Sequence, residues 1–234
     1  MTLPQVVSAS DWLAARKELL EAEEQAAEVV AQVTSKRQQL PAVKVEKEYI
    51  FEGPAGKASL LDLFEGRQQL IIQHFMWDPA WDEGCPACSY QADVVGHLAH
   101  LHARNTTFAV VSRTPITKIE PFRQRMGWSF PWYSSLGSDF NYDFHVTLDE
   151  NVAPIEYNYR SPQELADIGQ GWFGEPGEKG GVSVFMRDGD TVLHTYSTYG
   201  EGVYLLVATD HYLDLTPLGR QDMGPELHDR YPEN

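Results

Sequence analysis

The sequence predicts an α/β fold in which a central mixed sheet is flanked by helices, with a helical extension at the N-terminus. Two nearly continuous apolar segments, 70–77 and 107–112, are typical of buried strands, and a helical pattern follows each of them. Further along the chain, Asp188-Gly189 separates two alternating segments, as in a β-hairpin. A parallel pair of strands followed by an antiparallel pair is therefore expected.

An N-terminal helix is predicted for residues 11–39, within a first segment of residues 1–40. Ser8 stands before Asp11 with capping-box-like spacing, and Pro41 follows the segment, so both ends carry a helix boundary signal. Its apolar stripe is thin and consists of Trp12, Leu19, Val30 and Val33. We expect the helix to dock on the main body, with a homodimer contact as its alternative use.

The main domain is expected to span residues 41–208. Short strands at 43–45 and 49–51 and a turn at 53–56 precede the buried strands, and helices are expected over 86–104 and from Thr114. This order of elements is the thioredoxin-like topology. Residues 149–180, rich in Pro, Gly, Asn and Tyr, are interpreted as an insertion, and residues 209–234 as a polar tail that wraps the domain.

Charge and composition restrict the partners and the compartment. Lys and Arg total 18 against 34 Asp and Glu, so the formal net charge is −16, which disfavours a nucleic-acid or anionic-membrane partner. Residues 1–10 carry no secretory signal pattern, and no apolar segment is long enough to span a bilayer. We therefore expect a cytoplasmic protein whose two cysteines are not a structural disulfide framework.

The chemistry is concentrated in Cys85-Pro86-Ala87-Cys88, which follows a predicted buried strand and begins a predicted helix. With Pro86 at the first helical position, Cys85 is the N-cap and Cys88 lies within reach one turn later. A helix N-terminus stabilises a thiolate, so Cys85 is predicted to be the nucleophile and Cys88 the resolving thiol. The alternative is a pair of cysteines that only pack at the start of a helix.

Local charges predict the redox behaviour of this pair. Asp82 and Glu83 stand just before Cys85, and no Lys or Arg occurs between Gln68 and Ala103. Carboxylates raise a thiol pKa, so the sequence predicts a reducing dithiol, with a potential nearer to the reducing value of about −270 mV than to the oxidising extreme of about −120 mV.

Aromatic residues near the cysteines have two interpretations. Most belong to the predicted core, but some could line an apolar substrate pocket beside the thiols. The predicted pocket consists of Trp77, Trp81, Pro86, Trp132 and Tyr133. Three histidines, His97, His100 and His102, lie too far along the chain from the cysteines to complete a zinc site, so no metal and no cofactor is expected.

Three segments carry a family resemblance. They run from His74 to Ser89, from Arg125 to Phe144 and from Tyr212 to Arg220, and together they resemble an uncharacterised bacterial family with a thioredoxin-like fold. The layout is more distantly similar to the alkyl hydroperoxide reductase and thiol-specific antioxidant group. That group has a Thr three residues before its reactive Cys, where this chain has Asp82, which disfavours peroxidase activity. Thioredoxins place a cis-Pro opposite the dithiol, where this chain has Gly180-Gly181.

These observations predict a thiol–disulfide oxidoreductase that acts on a protein or small-molecule disulfide, or on a peroxide. The alternative function is a non-catalytic thioredoxin-scaffold protein that binds a ligand in an aromatic-lined pocket. Loss of activity on replacement of Cys85 separates the two functions.

Overall fold

A mixed sheet forms the centre of the molecule. The computed structural model of the chain describes residues 3–221 and 224–232. Within these residues, eight strands form one sheet in the order β1-β10-β9-β4-β5-β6-β2-β3, and β7 and β8 form a separate pair. The strands are β1 (Val43–Lys44), β2 (Ile50–Gly53), β3 (Gly56–Ser59), β4 (Gln69–His74), β5 (Thr106–Ser112), β6 (Trp132–Ser134), β7 (Thr147–Leu148), β8 (Gly177–Glu178), β9 (Gly181–Asp188) and β10 (Thr191–Tyr199).

The core of this sheet has the predicted thioredoxin-like topology. Strands β4 and β5 are parallel, β4 is antiparallel to β9, and β9 forms the predicted hairpin with β10. Every residue of β5 is buried, as expected of a strand covered on both faces. The predicted α/β fold is therefore confirmed. The turn at 53–56 joins β2 to β3, whereas β1 lies at the opposite edge and pairs with β10.

Helices cover both faces of the sheet. They are α1 (Ala9–Gln38), α2 (Pro86–Asp93), α3 (Ala99–His102), α4 (Ile116–Arg125), α5 (Phe140–Asp143), α6 (Pro162–Asp167), α7 (Glu201–Tyr204) and α8 (Ala208–Asp214). Alternation along β5 divides the core between the two faces: Ala109 and Val111 pack on one side, and Phe108 and Val110 pack on the other. The second side holds the cysteines.

The helix predicted over 86–104 is broken. It ends at Asp93, and a new short helix begins at Ala99. The Asp93 carboxylate accepts hydrogen bonds from the Trp128 indole at 2.7 Å and the His228 ring at 2.8 Å, and Gly96 follows in the break. These tertiary bonds and the low helix propensity of glycine outweigh the helical pattern. The histidines after the break, His97, His100 and His102, therefore do not lie on a continuation of α2.

The N-terminal helix forms as predicted but does not dock. The side chain of Ser8 accepts a hydrogen bond from the backbone of Asp11, and no residue of α1 is buried. Trp12, at the start of the stripe, is 60% exposed. The expected docking on the main body is therefore wrong, because the thin apolar stripe finds no surface there; one contact places the Arg37 guanidinium 4.8 Å from the centre of the Tyr196 ring.

The segment predicted as an insertion, residues 149–180, follows β7 and contains α6 and β8. It builds a small apolar cluster of Val146, Leu148, Tyr157, Leu165, Phe173 and Tyr199. In the predicted tail, Leu227 is buried in the cluster that also contains Cys88. Residues 1–2 of the predicted first segment and residues 222–223 and 233–234 of the predicted tail lie outside the described residues. No helix in the described chain is long and apolar enough to cross a membrane.

Candidate dithiol site

Both cysteines lie where the chain passes from the end of β4 into α2. Cys85 is the N-cap of α2, and Pro86 occupies the first turn, as the sequence predicts. The Cys85 backbone N–H donates to the Met76 carbonyl at 3.2 Å, and the Met76 N–H donates to the Cys88 sulfur at 3.4 Å. Cys85 is partly buried and Cys88 is only 4% exposed. The two thiols therefore differ in access, and both are free.

The environment separates the two pKa values. A hydrogen bond from the Cys88 thiol, helped by the N–H groups of Cys88 and Ala87, lowers the pKa of Cys85 to about 7 against the opposing effect of burial. The pKa of Cys88 is raised, because its thiol is hydrogen-bonded to Cys85 and is buried. Thiolate therefore forms first on the more accessible sulfur, which is what a nucleophile followed by a resolving thiol requires.

Cations supplied by distant segments change the local charge. Glu83 forms ion pairs with Arg125, from the end of α4, and with Arg230, near the end of the described chain. These partners lower the pKa of Glu83. The local sequence offers no cation, as predicted, but Glu83 has two from elsewhere in the chain. The expectation of a raised Cys85 pKa is wrong, because hydrogen bonds from Cys88 and Ala87 lower it. The fold brings the compensating charge from more than 40 residues away.

A glycine pair lies against the dithiol. Gly181 begins β9 opposite His74 of β4, which places Gly180 at the floor of the site. A Cβ atom on Gly180 would lie 3.7 Å from the Cys88 sulfur, at ordinary contact distance. All peptide bonds in the described residues are trans. The backbone opposite Cys88 is thus formed by glycine, in agreement with the sequence.

The five residues of the predicted aromatic pocket lie in different environments. Trp77 and Trp132 are fully buried in the core, and their indoles donate to the Trp81 carbonyl and the Ser112 hydroxyl. Tyr133 follows Trp132 on β6 and so faces the opposite side of the sheet. Trp81 is 43% exposed, and Pro86 is exposed as well. The burial of Trp77 and Trp132 agrees with the core interpretation.

A different cavity, with a volume of about 600 Å³, adjoins Cys88. None of the five predicted pocket residues lines it. Its walls are mainly apolar and aromatic, and they include Met76, Cys88, Tyr90, Tyr157, Phe173, Gly180, Val203, Tyr204 and Val207. The aromatic content of segment 149–180 was the sequence signal for this wall, but its position beside the dithiol depends on the path of the chain.

Charged groups at the cavity were missed by the sequence argument. Lys179, Asp210 and Arg220 contribute to the lining. Asp210 accepts hydrogen bonds from the Tyr90 hydroxyl at 2.9 Å and from Arg220 at 3.3 Å. Among the described residues, no group of three or more His, Cys, Asp or Glu side chains is placed to hold a metal ion.

Comparisons with solved structures give distant likenesses to peroxiredoxins. A mutant of PrxQ from Xylella fastidiosa has 13% identity and a TM-score of 0.44, over 69% of this chain and 86% of that chain. Peroxiredoxin Q from Xanthomonas campestris has 15% identity and a TM-score of 0.43, over 70% of this chain and 90% of that chain. Peroxidoxin BcpB from Mycobacterium tuberculosis has 13% identity and a TM-score of 0.40, over 73% of this chain and 95% of that chain.

Family membership is shown by sequence. No curated protein matches the chain. One family model does match, over residues 1–231, and this extent agrees with the resemblance carried by the segments around Cys85, Trp132 and Leu215. The protein therefore belongs to the family described as "Bacterial protein of unknown function (DUF899)".

Proposed function

We propose that the protein is a thiol–disulfide oxidoreductase in which Cys85 is the nucleophile and Cys88 the resolving thiol. The observation that carries the proposal is the position of Cys85 as the N-cap of α2, one turn from the buried thiol of Cys88. In this position hydrogen bonding from Cys88 lowers the pKa of Cys85 to about 7. A thiol with a pKa near the ambient pH combines a useful thiolate fraction with good nucleophilicity.

The reaction proceeds in two exchanges. The Cys85 thiolate attacks one sulfur of a substrate disulfide, which breaks the S–S bond, forms a mixed disulfide and releases one substrate thiolate. The Cys88 thiol loses its proton, and its sulfur attacks Cys85, which releases the second substrate thiol and leaves a Cys85–Cys88 disulfide. A dithiol reductant then returns both cysteines to thiols and is itself oxidised.

The backbone around Cys88 supports the second exchange. Negative charge that develops on the Cys88 sulfur receives the hydrogen bond from the Met76 N–H, so the buried thiolate is not left without a partner. A peroxide is the alternative electrophile: Cys85 would attack its O–O bond, release an alcohol or water and become a sulfenic acid. Cys88 would then condense with that acid and release water.

A single-turnover assay tests the proposal. The reduced protein is mixed with bis(2-hydroxyethyl) disulfide, with insulin or with hydrogen peroxide, and released thiols and enzyme adducts are measured. We expect two thiols per protein molecule from the small disulfide in the wild type, a trapped mixed disulfide in Cys88→Ser, and neither in Cys85→Ser. Unchanged turnover in Cys85→Ser, or no reaction of the wild type with any of the three oxidants, would contradict the proposal.

The second candidate is a non-catalytic binding protein, which is favoured by the largely apolar cavity beside Cys88. A binding protein retains its ligand in Cys85→Ser and shows no turnover in the wild type. The same set of variants therefore separates the two functions.

A further inference from the structure

Lys179 is a buried cation with few hydrogen-bond partners. It follows β8, is only 8% exposed, and contributes to the cavity lining. Its ammonium group makes one long hydrogen bond, to the Trp172 carbonyl at 3.5 Å. An ammonium carries three donors, so at least two remain for another acceptor. Lys179 takes part in no ion pair with the described residues.

Two carboxylates, Glu175 and Glu178, act on the Lys179 charge at a distance, but neither forms an ion pair with it among the described residues. Glu175 is exposed and lies outside the cavity lining. Glu178, adjacent in the chain, accepts from Arg113 at 2.8 Å and from the Thr147 hydroxyl at 2.9 Å. Asp210 is paired with Arg220, which also binds Asp214. The charged lining residues thus leave one uncompensated positive charge, on Lys179. Burying a charge without a partner is unfavourable, and burial lowers the pKa of this lysine.

The rest of the cavity suits hydrocarbon. Phe173 stacks on Tyr157 with their ring centres 5.0 Å apart, and the Tyr157 hydroxyl is engaged with the Gly180 carbonyl at 2.7 Å. Val203 and Val207 add aliphatic surface. A volume of about 600 Å³ lies within the usual size of a small-molecule site. Apolar walls around one unpaired ammonium are complementary to an amphipathic anion.

We propose that this cavity binds an apolar monocarboxylate, whose carboxylate accepts hydrogen bonds from the Lys179 ammonium and whose hydrocarbon chain packs on the walls beside Cys88. The ion pair would satisfy the free donors of Lys179 and balance its charge. Because Cys88 and Gly180 form part of the same lining, the bound molecule lies on the cavity side of the resolving thiol. The inference does not require the dithiol to be catalytic.

Dodecanoate, below its micelle concentration, is the probe, and binding to the full-length protein is measured by calorimetry. We expect dodecanoate to bind and both dodecanol and dodecyltrimethylammonium to bind at least about tenfold more weakly, since they lack the negative charge. Lys179→Met should weaken dodecanoate by a similar factor, whereas Lys179→Arg retains the charge and should restore much of the affinity. Lys57→Met, at an exposed lysine of β3, is the matched control and should bind as the wild type does.

The same titration is repeated on Cys85→Ser, so that failure of the redox function and failure of the ligand site are distinguishable. We expect dodecanoate affinity to be unchanged in that variant. Thermal unfolding of Lys179→Met shows that the variant is folded, since removal of an unpaired buried charge should not lower its stability. The proposal is overturned if the wild type does not bind dodecanoate, if dodecanol binds equally well, or if Lys179→Met binds with wild-type affinity.

Discussion

The backbone N–H of Met76 donates a hydrogen bond to the sulfur of Cys88 across 3.4 Å. Met76 follows the end of β4, whereas Cys88 lies in the first turn of α2, so this contact joins the central strand to the helix that carries the dithiol. The Cys88 thiol proton remains available to Cys85. The Cys88 sulfur therefore accepts a hydrogen bond from the backbone while the Cys88 thiol lowers the pKa of Cys85.

Removing the Cys88 donor should raise the pKa of Cys85. In Cys88→Ala the hydrogen bond to Cys85 is lost, so the pH midpoint for alkylation by iodoacetamide should move upward from about 7. Cys88→Ser keeps a hydroxyl donor and should move the midpoint less. Equal midpoints in the wild type and Cys88→Ala would show that the Cys88 thiol does not set the reactivity of Cys85.

Replacing Glu83 or its partner Arg125 should shift the pKa of Cys85 in opposite directions. Glu83→Gln removes a negative charge and frees Arg125 and Arg230, so the pKa of Cys85 should fall and its redox potential should rise. Arg125→Gln leaves Glu83 less compensated and should raise that pKa. Alkylation rates at pH 6 should change by about twofold, up in the first variant and down in the second.

Salt provides the control for this electrostatic origin. The two opposite changes should shrink at high ionic strength, because these ion pairs are partly exposed and are screened. Changes of the same sign in both variants, or changes that salt does not affect, would indicate a structural disturbance instead.

Neighbouring glycines of the dithiol floor should respond differently to alanine. A Cβ atom on Gly180 meets ordinary contacts, so Gly180→Ala should change the free energy of unfolding by less than about 1 kcal/mol. A Cβ atom on Gly181 would lie 2.6 Å from the ring of Tyr199, whose hydroxyl is tied to the Phe144 carbonyl. Gly181→Ala should destabilise by about 1–3 kcal/mol. Urea unfolding checks both, and equal stabilities would contradict the packing described here.

Short-range relationships in this protein could be predicted from sequence. The N-cap position of Cys85, the hairpin at Asp188-Gly189 and the buried strands depend on neighbours in the chain or on simple periodicity. The break after Asp93 could not be predicted, because it depends on hydrogen bonds from Trp128 and His228.

The cavity and its charge depend on long-range pairing. Lys179 and Cys88 line the same cavity because β9, which begins two residues after Lys179, is antiparallel to β4. Glu83 is compensated because α4 and the last described residues return to the start of α2. Trp77 and Trp132 are pocket candidates in the sequence because they belong to an aromatic cluster and Trp77 stands shortly before Cys85. Neither signal distinguishes a pocket wall from a core. Strand alternation then separates Trp132 from Tyr133.

Deleting residues 1–38 should leave the core nearly as stable as the full chain. No residue of α1 is buried, and its contact with the core at Tyr196 is a partly exposed cation–π pair worth about 0.5–1 kcal/mol. Urea unfolding of the truncated protein measures the change, and a loss of several kcal/mol would show that the helix packs on the core in solution. Sedimentation of both forms tests the predicted homodimer contact, which requires the full chain to be dimeric and the truncated chain to be monomeric.

Formation of a Cys85–Cys88 disulfide is the decisive property of the proposed dithiol. The reduced protein is treated with a mild disulfide oxidant, alkylated and digested, and the peptide that contains both cysteines is weighed by mass spectrometry. We expect a peptide that has lost two hydrogen atoms and takes up no alkylating reagent, with full alkylation restored by a dithiol reductant. Two cysteines that both remain alkylatable after the oxidant would contradict it.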